Sequence, residues 1–560
     1  MKTPSYAQTR WARGFAVEYS GDAGPVPSIR IRVWEADEGC GTPILTAHHD
    51  NLVWTYFSAD GPADLAKTIL TPEWVKRVIV TPTLARELTG VYVFVAVDLA
   101  SRTLIALTDR LGISPLYFAQ KTESKWYISS HLMWLMLRLG HTGEIDPNGF
   151  MEHIGFGYTV TPYQELFRGI RRLPPAGYIT LAGANSQCNS YWQLPCPDQA
   201  PPENAVEKMI EGLRKAMLAS AAESKGVLGI TAGKDSLCLA SIVPPHAIAM
   251  TGTFGVPNCT DRVQGREVST YLGIPHVTDD VCPTENFAEI ASHIAFNSAG
   301  LATVSYVDMV HFVIRCVPPG SAFIMGEGGE CVRDFFQAKG QNPAVQLSQE
   351  YMTPAQYLHQ TLAASYQDYL NGYPDRLVLR GRNGLPHDDL LFASQFYRAR
   401  RMPGNFGLRH QILSSLRPKL SPFLTSDFID NAYGLKTEVH SASRLHRAII
   451  EREQPGLLPF FDSPPRSVQS TQEWTARFSS GVGQVVYSLL AESLSLCADV
   501  FNQDGVLELC QATITQPTRA LYHLFRVLSF ALARRQLCTD RSTLLESIEE
   551  SCFCIPDDMR

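Results

Sequence analysis

At 560 residues the chain is too long for one ordinary core, so two or three domains are expected. It is 45% hydrophobic and 18% charged with a formal net charge of −7, and it has no basic block, which argues against nucleic acid as a partner. No apolar run nears the ~18–20 residues of a membrane-spanning helix, and the thirteen cysteines are scattered.

Only Cys552 and Cys554 stand close, and one C-x-C lacks the second half of a zinc site, so the cysteines read as reduced, mostly buried thiols. The opening "MKTPSYAQTRWARGF" has no apolar segment of a secretory signal, which sets the expectation of a cytoplasmic protein. Residues 1–192 are rich in short β-type runs. "VYVFVAVDLASRTLIALTDRLG" predicts two strands around a turn at Ala100–Ser101, and "KWYISS" predicts another. His48 and His49 read as a surface turn rather than as ligands. The stretch 193–204, "QLPCPDQAPPEN", carries four prolines in twelve residues and reads as a linker. From there to the end, 205–560, the texture changes. "AVEKMIEGLRKAMLASAAESKG" has helical spacing closed by Gly226, and the strand "VLGI" follows. Strand-like "HAIAMTGTFG", helix-like "RVQGREVSTYLG" and strand-like "SAFIMG" predict a mostly parallel sheet. Beyond about residue 390 the chain reads as helical, with basic amphipathic segments such as "TRALYHLFRVLSFALARRQL" that read as packed helices with a solvated face.

The stretch "VLGITAGKDSLCLASIV" (227–243) carries the strongest chemical signal. Its Gly-Lys pair is not a Walker A loop: Asp235 follows Lys234 where Ser or Thr is required, and the preceding glycine is one residue too near. What remains is a strand, the turn Thr231-Ala232-Gly233-Lys234-Asp235-Ser236, and a helix starting at about Ser236. Successive N–H groups in such a turn and the helix N-terminus attract an anion. An aspartate there makes sense if magnesium bridges it to phosphates. The alternative is an ordinary strand–turn–helix with Asp235 or Ser236 as N-cap.

This loop resembles the S-G-G-x-D-S pyrophosphate loop of the asparagine synthetase family. "GVPNCTDRVQGREVSTYLG" (255–273) resembles the family segment that follows, and "IMGEGGEC" resembles its G-E-G-S-D-E loop, with Glu327 and Glu330 on the acidic positions. "LSPFLTSDFID" (420–430) is similar to its P-F-L-D helix start. Further upstream, "TDRLGISPLYFA" resembles the family's R-D-R-L-G-I-K-P-L-Y-Y hairpin, and "IDPNGFMEHIGFGYTVTPYQELFRGIRRLPPAGYITL" resembles the stretch leading to Tyr191–Trp192. The resemblance implies an α/β protein: a β-rich, Ntn-type glutaminase-like sandwich over 1–192, the linker, and a PP-loop ATP-pyrophosphatase-type parallel-sheet domain with a helical C-terminal part over 205–560. It implies ATP and Mg2+ as cofactors. Thr231, Ala232, Gly233, Asp235 and Ser236, with Leu228, Gly252 and Thr253, would bind the nucleotide, and Asp235 and Glu330 would hold the metal. Glu327 would handle the incoming amine. Arg466, in "DSPPRSVQST", falls near the relatives' catalytic lysine, and a surface role for it stays open. Lys234 reads as solvated.

Several positions depart from the family. Lys2 stands where glutamine-dependent members carry the nucleophilic cysteine, the first cysteine is Cys40, and the glutamine-gripping segments are missing. Ala232 replaces a glycine, at a cost of ~1 kcal/mol or more if the backbone there is left-handed. Glu330 replaces an aspartate, and "LATVSYVD" lacks the aspartate-pocket S-T-P. The pattern resembles the β-lactam synthetases and lasso-peptide macrolactam cyclases, in which ATP activates a carboxylate for attack by an amine already on the substrate. The expected function is an AMP-forming carboxylate–amine ligase without glutamine hydrolysis. Its expected partners are a small-molecule or peptide carboxylate, and in the cyclase case a precursor peptide and a protease. An ammonia-using amidotransferase and a catalytically degenerate scaffold stay open as alternatives.

Overall fold

The computed structural model describes residues 14–20, 28–34, 44–58, 69–183, 185–195, 200, 202–221, 225–244, 246–333, 352–386, 389–463, 469–544 and 553–554. The N-terminal strands are β1 (Gly14–Ser20), β2 (Ser28–Trp34), β3 (Ile44–His49), β4 (Leu52–Ser58), β5 (Tyr92–Asp98) and β6 (Thr103–Thr108). They continue with β7 (Tyr117–Gln120), β8 (Lys125–Ser129), β9 (Arg171–Arg172), β10 (Gly177–Ala182) and β11 (Asn185–Ser190). Alternation explains their layering. Along β5, Val93, Val95 and Val97 share a cluster with Val17, Phe118 and Ile128 of the other sheet. Tyr92, Phe94 and Ala96, on the opposite face, pack with Trp74, Val75 and Val78 of helix α1 (Pro72–Val80). A strand buried on both sides reads as a continuous apolar run. The turn expected at Ala100–Ser101 is present: the Asp98 carboxylate accepts from the Ala100 N–H at 2.9 Å and from Ser101 Oγ at 2.8 Å.

These strands form two antiparallel six-stranded sheets, in the orders β17-β2-β1-β8-β7-β9 and β11-β10-β6-β5-β4-β3. The strand at the far edge, β17 (Phe553–Cys554), pairs Phe553 with Val33 of β2, so the C-terminal part of the chain returns to the first sheet. His48 and His49 end β3, exposed, at its turn into β4. Lys2, Cys40 and Cys552 lie outside the described residues, as do 196–199 and 201 of the Pro-rich stretch.

The third sheet is parallel, in the order β14-β13-β12-β15-β16. Its strands are β12 (Gly226–Gly229), β13 (Ile248–Phe254), β14 (His276–Asp279), β15 (Phe323–Ile324) and β16 (Lys419–Leu420). Gly226, expected to close the preceding helix, is the first residue of β12. Its missing side chain makes room for Ile324, whose Cδ1 would stand 2.8 Å from an added Cβ. Helices α2 (Pro147–Phe156), α3 (Ala205–Ala221), α4 (Lys234–Ile242), α5 (Thr260–Leu272), α6 (Val307–Cys316), α7 (Arg444–Glu453) and α8 (Ala520–Thr539) complete the frame, with a ten-residue π-helical stretch at Tyr397–Phe406. The basic segment expected to pack does so: α8 buries residues on most of its faces, and its Arg534 pairs with Asp499 at 2.6 Å. Among the described residues no helix is long and apolar enough to cross a membrane.

The antiparallel and parallel parts share one hydrophobic core. At its centre Phe150 of α2 meets Tyr366, Phe501 and Phe530 with ring centroids at 5.0, 5.6 and 6.0 Å. Beside it the buried Glu152 carboxylate accepts from the Val160 N–H at 2.8 Å and from Arg380 Nε at 2.6 Å. Phe150→Ala should cost about 3–5 kcal/mol, read as a lower urea midpoint. Because the ring touches both parts, the loss should appear in one shared transition rather than in a new, earlier one.

Candidate active site at the switch point of the parallel sheet

Strands β13 and β14 lie to one side of β12, and β15 and β16 to the other. Strand order therefore reverses between β12 and β15, and a crevice is expected outside their carboxyl ends. A cavity of about 350 Å³ lies there, lined by Thr231, Gly233, Asp235, Ser236, Gly252, Thr253, Glu327 and Glu330 among others. Leu228 and Ala232 do not line it. The Leu228 side chain is fully buried in β12, one residue before the carboxyl end at Gly229. Gly252 is required for the apolar floor, since an added Cβ would stand 2.5 Å from Phe312 Cζ.

Helix α4 begins at Lys234 with Gly233 as N-cap, two residues earlier than expected. Neither Asp235 nor Ser236 caps it. Ser236 Oγ instead accepts from the Thr231 N–H at 3.1 Å, and its hydroxyl reaches the Gly233 carbonyl at 2.9 Å. Thr231 Oγ1 accepts from the Gly233 N–H at 3.0 Å, and the Ala232 N–H donates to Asp261 Oδ1 at 2.8 Å. Ala232 is not among the residues with positive φ, so the left-handed strain expected there is absent. The first-turn N–H groups of α4, at Lys234, Asp235 and Ser236, have no upstream acceptor within the helix, and the helix dipole adds positive character. Lys234 is not simply solvated: its ammonium lies 4.6 Å over the Phe461 ring, and burial with the nearby Arg333 charge lowers its pKa. Arg466, shortly after Phe461, lies outside the described residues.

The acidic loop reaches α4 because it is glycine-rich. A Cβ on Gly326 would lie 2.8 Å from Asp235 Cβ, and one on Gly329 would lie 2.6 Å from Asp235 Oδ1. Glu330 is thereby buried close to Asp235. Burial, reinforced by the Asp235 charge, pushes its carboxyl up to about 7. It accepts from the Gly328 N–H at 2.9 Å and the Tyr397 hydroxyl at 3.3 Å. Asp235 itself meets Arg333 Nη2 at 2.9 Å and His446 Nε2 at 3.0 Å. Two carboxylates in mutual repulsion fit a shared divalent cation whose remaining ligands come from phosphate and water. Among the described residues no group of three or more His, Cys, Asp or Glu would hold a metal unaided.

Glu327 has different surroundings. It is buried between Lys419 Nζ and Arg409, whose Nη2 is 2.5 Å from Oε1. Burial alone would raise its carboxyl, but Arg409 and Lys419 together hold it below the usual range. It is a fixed anion, and a weak proton acceptor. Lys419, Arg409, Arg333 and His446 were not legible as site residues in the sequence. Lys419 adjoins the "SPFL" motif, the one signal that could have drawn attention to it.

A β-sandwich of antiparallel sheets, a parallel sheet with a glycine-bearing strand–helix loop at its switch point and an acidic loop facing it define an α/β protein. The family model described as a glutamine amidotransferase domain matches residues 80–192. Asparagine synthetase [glutamine-hydrolyzing] 3 of Bacillus subtilis (strain 168) is 27% identical over 108 residues, 19% of this chain and 17% of that relative's length. Two solved structures were also found. Glutamine phosphoribosylpyrophosphate amidotransferase from B. subtilis with ADP and GMP has 10% identity and a TM-score of 0.20, covering 49% of this chain and 61% of that one. An allosteric regulatory enzyme of purine biosynthesis has 11% identity and a TM-score of 0.21, covering 48% and 60%. At those scores the two structures carry no argument. Residues 80–192 are therefore similar to a glutamine amidotransferase domain, and the chain spans less than a fifth of the length of the asparagine synthetase it matches.

Replacing Glu327 by Gln should cost about 3–5 kcal/mol in chemical denaturation, because Lys419 and Arg409 are left buried without their anion. Since the folded carboxyl titrates below its ordinary 4.5, the stabilisation is complete above that pH and is lost as pH falls beneath it. The wild type and Glu327→Gln should therefore converge in strong acid. Equal stability at pH 7 would mean that the cluster contributes no net energy.

Proposed function

We propose that the chain is an ATP-dependent, AMP-forming carboxylate–amine ligase that does not use glutamine. One observation carries the reading: the amino end of α4, the Asp235–Glu330 pair and the Glu327 cluster converge on one cavity at the switch point of the parallel sheet. A carboxylate oxygen of the substrate attacks the α-phosphorus of ATP, the bond to the β-phosphate oxygen breaks, and pyrophosphate leaves. An amine then attacks the acyl carbon, loses a proton and expels AMP. The first-turn amides of α4 and the hydroxyls of Thr231 and Ser236 would receive the phosphates. Magnesium between Asp235 and Glu330 would neutralise the charge developing on pyrophosphate. Arg333, whose guanidinium lines the cavity, would transfer from Asp235 to a phosphate oxygen as the metal enters. Glu327, held ionised, suits the binding and orientation of an ammonium or amine better than proton removal. Arg466 is proposed as a further cation for the oxyanion.

The absence of glutamine use is supported by thiol chemistry. Among the described residues of the N-terminal part the only cysteine is Cys188, on β11, and burial raises its pKa, the opposite of nucleophile activation. Whether the amine lies on the same molecule, as in macrolactam formation with a precursor peptide and partner protease, or is ammonia belongs to the same proposal, with the intramolecular case preferred. The proposed division of the chain is 1–192, a linker at 193–204, and 205–560. One observation favours a second reading, a scaffold that binds without turnover: Arg333 already pairs with Asp235 at 2.9 Å.

Three outcomes are expected. Substrate acid should drive exchange of labelled pyrophosphate into ATP, with AMP and not ADP accumulating; ADP would refute adenylation. Asp235→Asn should lower exchange by two or more orders of magnitude while shifting the melting temperature little, since Asp235 is not the N-cap. No binding of ATP–magnesium at millimolar concentration would favour the scaffold. Purified protein should release no glutamate from glutamine above a buffer control.

A further inference from the structure

A second cavity, of about 210 Å³, lies beside the first and takes no part in the chemistry above. The π-helical stretch Tyr397–Phe406 stands between them. Tyr397 and Phe406 line the first cavity, whereas Arg401 and Asn405 line the second, and the Arg401 guanidinium stacks 5.7 and 5.8 Å from the rings of Tyr397 and Phe406. Three arginines line the second cavity: Arg401, Arg519 and Arg526. No aspartate or glutamate is among its described lining residues.

The Arg526 group is fixed rather than mobile. Its Nη1 donates to the carbonyls of Ile154 and Gly155 at 3.2 and 2.9 Å and to Thr353 Oγ1 at 2.9 Å, and its Nη2 donates to the Phe156 carbonyl at 3.3 Å. These partners are neutral, so its charge is not cancelled where it sits. Burial, with the neighbouring Arg401 charge, lowers its pKa. His523, beside it, is held neutral, its pKa lowered to about 3 by burial and by Arg526. Arg519 is exposed at the rim and is the N-cap residue of the twenty-residue α8, whose dipole adds to the positive field. Thr303, Ser305 and Asn405 supply uncharged polar groups, and Phe156, Met352 and Pro354 supply apolar wall.

We propose that this cavity binds the carboxylate of an amino-acid or peptide ligand, with the guanidinium groups on the carboxylate and the apolar wall on an adjacent side chain. Several guanidinium donors round one small site match the two oxygens of a carboxylate, and the apolar wall suits a side chain better than it suits a bare inorganic anion. The inference rests on the ligase reading only for its biological sense: the ligand would be a second acidic end of the substrate, distinct from the carboxylate to be activated.

The test uses the full chain with N-acetylphenylalanine and its uncharged amide as probes, by isothermal titration calorimetry at low ionic strength. The acid should bind at least tenfold more tightly than the amide. Arg519→Gln should weaken the acid about fivefold or more and the Arg401→Gln/Arg519→Gln pair further, while Arg519→Gln should leave ATP–magnesium binding, measured in the same samples, unchanged. If the double variant melts early, Arg519→Gln alone decides, because its side chain is exposed. Equal affinity for acid and amide, no binding of either at millimolar concentration, or an acid affinity unchanged by Arg519→Gln would overturn the proposal. Competition by inorganic phosphate at the same affinity as the acid would assign the site to phosphate and overturn it as well. Failure of ATP–magnesium to bind while the acid still does would remove the ligase reading and leave this site standing.

Discussion

The close approach of the loop at 326–330 to the first turn of α4 is the constraint on which the site depends. A side chain at Gly326 or Gly329 would collide with Asp235, so two glycines are needed to put a buried carboxylate against a half-buried one. That contact is electrostatically unfavourable by itself, and Glu330 answers by holding its proton toward neutral pH. Arg333 offsets the charge of Asp235 from the other side, while His446 beside it is kept toward the neutral imidazole by burial. The pocket is a set of balanced charges rather than a bare acidic cleft, and an incoming cation and polyanion would exchange partners with groups already in place. Such preorganisation lowers the reorganisation needed when charge develops.

A second balance sits a few ångströms along the same loop. Glu327 is as buried as Glu330 but has two cations on it, so the pKa values of the two glutamates, three residues apart, move in opposite directions although burial raises both. One environment favours the neutral acid and the other fixes the anion. A carboxyl that can change its charge and a permanent anion thus stand in one pocket.

Much of this frame was legible in the sequence because it is local. Alternation in "VYVFVAVD", the Asp98 turn, the strand–loop–helix at 227–243 and the glycines of "GEGGE" are each short-range statements, and their order along the chain fitted one family. Other features were not local. Arg409 and Lys419 reach Glu327 from about 80 and 90 residues away, and His446 reaches Asp235 from more than 200. An arginine in a basic helix looks solvated until packing shows what lies beneath it. The start of α4 is hidden for a related reason: Ser and Asp are strong N-cap residues, but here the Ser236 hydroxyl is engaged in closing the loop. Ala232 looked strained only because a left-handed backbone was assumed for it, and the loop keeps it out of that region.

The π-helical stretch between the two cavities has one further consequence. Its carbonyl at Pro403 accepts from Arg172, which also holds the Gly112 carbonyl in the antiparallel part of the molecule. Widened turns of this kind are rare and occur frequently at functional sites. A slip there would carry Tyr397, Arg401 and Phe406 together, altering the wall of both cavities and pulling on the Arg172 tie in one movement. The antiparallel part of the molecule then has a mechanical use, as the anchor that holds this partition in a single register.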